Sequence, residues 1–486
     1  MQGDFTRDTF DPLKHFSRVL MQQGRVTVDA DANEQVAILL HYMRTLARDL
    51  IGPYAAPREE GGFVLTPSNT GGFLIGHGRY YVDGILVENN TDCLYTHQPD
   101  YPLAPDDELQ KAIASPTGQV FWLYLDVWER LISMIEDPSI REKALGGPDT
   151  AVRSKTVWQV KGLKVDGLAL APGGTPALPA LPPCESLLSQ LSPISKAGLA
   201  AQVDPGKPSD DPCVLAPSSQ YRGAENQLYR VEIHHGGKVG QATFKWARDN
   251  GSRVTAWLGT SGHDLQVGDA RGFSASNWVE VYDDATELQG KPGVLVKLDK
   301  VEPGVLTVDP ASVTASTNLT WNMALINPKV RRWDQVQAGD TLLVEGAVPV
   351  RETTPSAPVW IDLEDGVQIQ FSAGGEYRTG DYWQIPARVA TGNVEWPTAP
   401  ASGGTATALA LPPSGIEHHY APLGFVAWYG QTMEYRSCRC TFDPGSSCLQ
   451  LGSIAVGAHL LRPGATLLHV EENPAPALEP VIHQPH

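Results

Sequence analysis

The chain has 486 residues, 42% of them hydrophobic and 19% charged, which is too long for one ordinary core and too apolar for a disordered chain. Forty-seven Gly and 39 Pro argue against a helical protein and suit many short strands joined by tight turns. A formal net charge of −18, with no Lys/Arg cluster, excludes the basic face on which a nucleic-acid binder depends.

The start, Met1 to Asp8, has no basic segment followed by an apolar run, and no stretch reaches the roughly 18 apolar residues that span a bilayer. The expectation is cytosolic synthesis without a signal peptide and no membrane insertion. Residues 1–53 read as a docking segment and helix, with a strand-like stretch over Pro12 to Val28. Asp31-Ala32-Asn33-Glu34 reads as a capping box, and Val36, Leu39, Leu40, Met43, Ala47 and Leu50 follow at helical spacing. Arg44 and Arg48 suit the negative end of the helix dipole, and Gly52-Pro53 ends the helix. Such a stripe must be buried, on the following sheet as the commoner outcome or against copies of itself. Phe10, Pro12, Arg25, Val36, Leu39, Leu40 and Met43 are the candidate assembly interface.

Residues 54–167 read as a β-rich domain. Asp83-Gly84 marks a hairpin turn, and Gln119 to Trp128 is an aromatic, β-branched run suited to a sheet centre. Glu136-Asp137-Pro138 opens a short helix that ends at Gly146-Gly147. Residues 168–218 are rich in Pro, Ala and Ser and read as a linker or excursion, the best candidate domain boundary, with one short helix near Ser186 to Leu191. Residues 219–345 form a barrel or sandwich domain. In it Asn250-Gly251, between Ala242–Trp246 and Val254–Leu258, is a strong hairpin signal. Residues 346–465 are a second β-rich region and 466–486 a polar tail. The fold class is thus mainly β, multidomain antiparallel sandwiches or small barrels with an N-terminal amphipathic helix.

No Gly-x-Ser-x-Gly elbow, His-Glu-x-x-His, Walker loop or dinucleotide fingerprint occurs, so no catalytic residue and no cofactor is assigned. Cys438-Arg439-Cys440, with Cys448 and His459 beyond, is the one metal-like spacing, but a one-residue gap chelates poorly and thiols or a disulfide are preferred. Cys184 and Cys213 could pair across the Pro-rich stretch, a closure worth about 3 kcal/mol. His234-His235 and His418-His419 read as polar side chains at a sheet edge or subunit contact, since neighbours on a strand face opposite ways. Asp283-Asp284 and Asp362, Glu364, Asp365 read as solvated turns rather than calcium loops. Trp122, Trp128 and Trp246 lie among apolar neighbours and read as core rather than sugar platforms.

Several stretches resemble a large bacterial domain family of uncharacterised function. They are Gly3 to Pro12, Val19 to Val26, Asp29-Ala30-Asp31 with Asn33-Glu34-Gln35, Ala144 to Thr150, Tyr221 to His234, Lys245 to Gly251 and Gly380 to Arg388. Ala32 and Ala224 depart from its usual aromatic and Leu. The opening is similar, more loosely, to the heads of phage tail-fibre proteins. The family resembles products encoded beside phage-like baseplate and contractile injection genes. That resemblance implies a non-enzymatic structural component, a baseplate-associated or fibre-type protein, assembled with copies of itself and with tail proteins. A glycan-binding or glycan-degrading surface protein, engaging a cell-surface polysaccharide, is the alternative.

Overall fold

The computed structural model describes residues 1–443, apart from 70, 171–177, 193, 207–219, 315–316, 337–341, 355–356, 401–406 and 431. Met1–Phe442 is one compact unit; of the second, Asp443–His486, only Asp443 is described. Cys213, Cys448, His459 and the 466–486 tail therefore lie outside the described residues.

Short strands dominate, as the turn chemistry requires, and every pairing between named strands is antiparallel except that of Tyr54–Pro57 with Thr441–Phe442. A long hairpin, Gln119–Ile132 with Arg153–Ala169, is extended by His419–Tyr429 and Thr432–Ser437 into a four-stranded sheet. Two smaller sheets close over its inner face around Phe63, Phe73, Tyr80, Leu123 and Trp158. The expected hairpin is present as Gly78–Val82 and Ile85–Asn89, with Asp83 and Gly84 both at positive φ in its turn.

A five-stranded central sheet follows, in the order Val348–Pro349, Thr243–Ala247, Gln227–His235, Tyr382–Arg388, Asn393–Val394. Tyr229, Val231, Ile233, Phe244, Trp383 and Ile385 line one face and pack on the sheet formed by Leu199–Val203, Val367–Phe371 and Ile361–Asp362. Six strands between Val254 and Trp333 form a closed barrel filled by Leu265, Val279, Val296, Leu306 and Val330. Closure leaves this part without an edge strand.

Several local expectations are corrected. Asn250-Gly251 does form a tight turn, with both φ positive. The strands beside it belong to different sheets, so the turn hands the chain from the central sheet to the barrel and makes no hairpin. The helix expected after Pro138 is two single 3-10 turns, Pro138–Ile140 and Lys143–Leu145. Trp122, Trp128 and Trp246 are all buried. The Pro-rich stretch is built into the body where it is described: Cys184–Gln190 is a 3-10 helix on the outer face of the long-hairpin sheet, and Leu199–Val203 is a sheet strand. Sheets also join segments from both sides of positions 167, 218 and 345.

Cys184 pairs with Cys438 and not across the Pro-rich stretch, because the 3-10 helix and the strand end at Ser437 meet on one sheet face. This also removes Cys438 from any metal site; Cys440 is a free, exposed thiol. The bond spans 254 residues, and in the chain-entropy view a closure of that length contributes about 5 kcal/mol. Reduction, or Cys184→Ser, should lower unfolding stability by about 3–5 kcal/mol in denaturant titrations. Superimposable curves with and without reductant would show that the bond is not formed.

Candidate functional site

The N-terminal helix, α1, runs from Asp29 to Ile51. It begins two residues before the expected capping box, with Val28 as N-cap and no side-chain cap. Its acidic and amide side chains instead hold the preceding arm. Asp29 accepts from the Thr6 amide at 2.8 Å and from the Thr6 hydroxyl, Glu34 accepts from the Thr9 hydroxyl at 2.5 Å, and Gln35 accepts from the Val19 amide at 2.8 Å. The face of α1 toward the body carries little apolar surface: Ala30 and Ile38 are buried, Arg44 reaches Glu129 at 2.9 Å, and Arg48 reaches Asp83 at 3.5 Å. The hairpin turn presses on the helix so closely that a Cβ on Gly84 would stand 2.0 Å from the Arg44 carbonyl oxygen.

The apolar stripe consequently faces outward, against the expectation that it packs on the following sheet. Val36, Leu39, Leu40 and Met43 are all exposed. Phe10 sets its ring 5.6 Å from His41, and with Pro12, Phe16, Leu39 and Tyr42 it lines a groove of about 540 Å³ between arm and helix. Arg25 is exposed near the end of the arm. Of the seven expected interface residues, Phe10, Pro12 and Leu39 line this groove, Val36, Leu40 and Met43 are exposed elsewhere on α1, and Arg25 stands beyond the groove.

Behind this lobe lies a feature the sequence reading missed. The second face of the central sheet carries Arg230, Glu232 and His234 on one strand, with Lys245, Tyr382 and Gln384 on its neighbours. The barrel turns Trp278, Glu280 and Tyr282, with Lys329, Arg331 and Trp333, toward it. Strand alternation produces both rows. Nine of these twelve residues are buried, and Trp278, Tyr282 and Gln384 are half-buried. Lys245 Nζ donates to both Glu280 oxygens at 2.6 Å and lies 3.1 Å from Glu232, to which Arg230 donates at 2.6 Å. Trp333 Nε1 donates to Glu280 at 3.0 Å, and the Arg230 guanidinium stacks 3.6 Å from the Tyr382 ring centroid.

Beside this cluster Lys329 pairs with Glu136 and with Asp284 at 2.7 Å, and Arg130 reaches Asp284 at 2.9 Å. Asp283 and Asp284 are therefore buried, not solvated: Asp283 caps the short helix Asp284–Leu288, and Asp284 joins the ion network. The seam leaves a cleft of about 270 Å³, into which Met1 and Gln2 are laid. Gln2 donates to Glu232 at 3.2 Å, while Asn250 donates to the carbonyls of Met1 and Gly3 at 2.9 and 3.0 Å.

The histidines are corrected as well. His234 sits on an interior strand, not an edge, and burial, then Lys245 and His235, push its pKa well below the ordinary range. His418 and His419 instead face Asp126 at 2.7 Å and Asp83 at 3.0 Å. Among the described residues no group of three or more His, Cys, Asp or Glu is placed to hold a metal ion.

Charged residues at every second position of Gln227–His235 read, in isolation, as a wet strand face. The signal that could have found the seam is the opposite charges at facing positions, Glu232 with Lys245 and Glu280 with Arg331. Burial alone would raise the Glu232 pKa, but Lys245 and Arg230 hold it down at about 2; Glu136 is brought to about 2 by Lys329 and Ser133 against the same penalty. Both lie below the ordinary value of 4.5, so their stabilisation is complete above that pH and is lost as pH falls toward about 2. The melting temperature should fall steeply across that window. Glu232→Gln should flatten the fall and cost about 3 kcal/mol at pH 7, because Lys245 and Arg230 lose a buried counter-charge. An acid profile unchanged by the substitution would contradict this account.

Neither a curated protein nor a solved structure matches the chain. A family model does, over residues 1–171 and 182–477, and three of the stretches singled out in the sequence (Tyr221–His234, Lys245–Gly251, Gly380–Arg388) meet at the buried seam. The chain belongs to the family of unknown function DUF6519.

Proposed function

We propose that the protein is a structural, non-enzymatic component of a phage-tail-like particle, a baseplate-associated or fibre-type protein of a contractile injection system, and that the arm and α1 are its docking element. The observation that carries this is the distribution of exposed apolar side chains. Thirteen of the 27 large hydrophobic residues exposed among the described residues fall between Leu13 and Leu50, a concentration that isolated surface residues do not explain. At about 100 Å² each, the seven on α1 alone approach the ~800 Å² that one partner contributes to a standard interface, with six more on the arm before it. The resemblance of the opening residues to proteins encoded beside baseplate genes supplies the kind of assembly.

No helix among the described residues is long and apolar enough to cross a membrane, so a membrane-spanning role for α1 finds no support. The glycan reading draws on the cleft, where Trp128, Tyr282 and Tyr382 accompany Glu232 and Glu280. Both carboxylates are bound to Lys245, and Glu232 sits too low in pKa to serve as a general acid. That arrangement favours a scaffold.

The test is co-expression with the tail-tube and baseplate proteins of a contractile injection system, followed by sedimentation. The wild-type chain should enter the high-mass fraction. A variant carrying Leu20→Glu and Met21→Glu, both exposed on the arm, should melt within about 2 °C of it and stay in the light fraction. A wild-type chain that stays light overturns the proposal.

A further inference from the structure

The outward face of α1 has a period as well as an area. Val36, Leu39, Met43, Leu46 and Leu50 follow at spacings of three, four, three and four, and they are 55, 52, 63, 46 and 77% exposed. A surface helix that packs on its own domain needs a stripe of period 3.6 turned inward. Here the inward face is made by Ala30, Ile38 and the Arg44 and Arg48 ion pairs, nearly opposite the exposed row. A row of period 3.5 turned outward is the seam that another helix fills by knobs-into-holes packing.

We infer that α1 pairs with α1 of a second copy of this chain along that seam. The inference rests on the docking role proposed above and names the first partner in it. The flanking positions suit a copy, since only one of five carries the charge that would select a foreign helix. In coiled coils charged flanks select and orient the partner. Here the positions flanking the seam are Gln35, Leu40, Tyr42, Ala47 and Asp49; Asp49 alone is charged, and because it meets Gln35 in an antiparallel pair, two identical helices meet there without like-charge repulsion. Leu40 and Tyr42, themselves 41 and 66% exposed, widen the apolar strip. With the five seam residues they offer roughly 700 Å², near the ~800 Å² per partner of a standard interface. A homotypic pairing needs no second gene product and closes by symmetry, the same patch serving both partners.

Met43 is the middle of the seam, so full overlap, parallel or antiparallel, brings the two Met43 side chains together. The full-length chain at tens of micromolar should show a light-scattering mass that is a multiple of 52.5 kDa. Leu39→Glu with Met43→Glu should return it to 52.5 kDa while leaving a cooperatively folded chain, since neither side chain is buried in the body. Separately, Met43→Cys should give an oxidised, reductant-sensitive dimer that the wild-type chain, with its free Cys440, does not give. A monomeric wild-type chain, a mass that the glutamates leave unchanged, or no Met43→Cys dimer overturns the pairing. A monomer that still co-sediments with tail proteins would overturn the pairing and leave the particle reading standing. An oligomer that ignores those proteins would support the pairing and tell against the particle.

Discussion

The architecture depends on one buried contact, the ion network in which Lys245 of the central sheet is held between Glu232 on the next strand and Glu280 on the barrel. A sheet with one apolar and one charged face would ordinarily leave the second wet. Here a barrel covers it, and desolvation makes each charge costly unless its partner is in place. The sheet–barrel junction thus tolerates few alternatives, since a slip of one residue would separate Glu232 from Lys245 and Glu280 from Arg331. Apolar contacts alone would join the two parts with less directional control.

The outer lobe is fixed by the same logic with weaker means. Thr6, Thr9 and Val19 are tied to α1 by Asp29, Glu34 and Gln35, and the arm's first residues enter the cleft against Asn250 and Glu232. Hydrogen bonds set where the arm lies, while its large apolar side chains are left outside. That division is the reverse of an ordinary core element and is what one expects of a surface completed by something else.

Much of the fold was legible in the residues. Val and aromatic runs placed the strand from Gln119 and the strand from Val254, and Asp83-Gly84 placed a tight turn, because these signals are local. Long-range order was not. Asn250-Gly251 has the right turn chemistry, but whether its flanking strands pair with each other depends on partners more than 70 residues away, Lys329–Trp333 and Val348–Pro349. The helix stripe was visible, yet its outward direction follows from Gly84 and from Ala30, Ile38, Arg44 and Arg48 claiming the inward face. The seam stayed hidden because a charge destined for burial beside its counter-charge looks, one strand at a time, like a charge destined for water.

Arg44 fastens α1 to Glu129, and Glu129 lies on the strand Gln119–Ile132, which is paired with Arg153–Ala169 at thirteen positions. Tension delivered to the helix would enter that strand near one end. Strands pulled lengthwise share the load across the whole ladder, whereas strands peeled sideways give way one bond at a time. A load on the lobe is thus passed through one part-exposed ion pair into the longest ladder among the described residues.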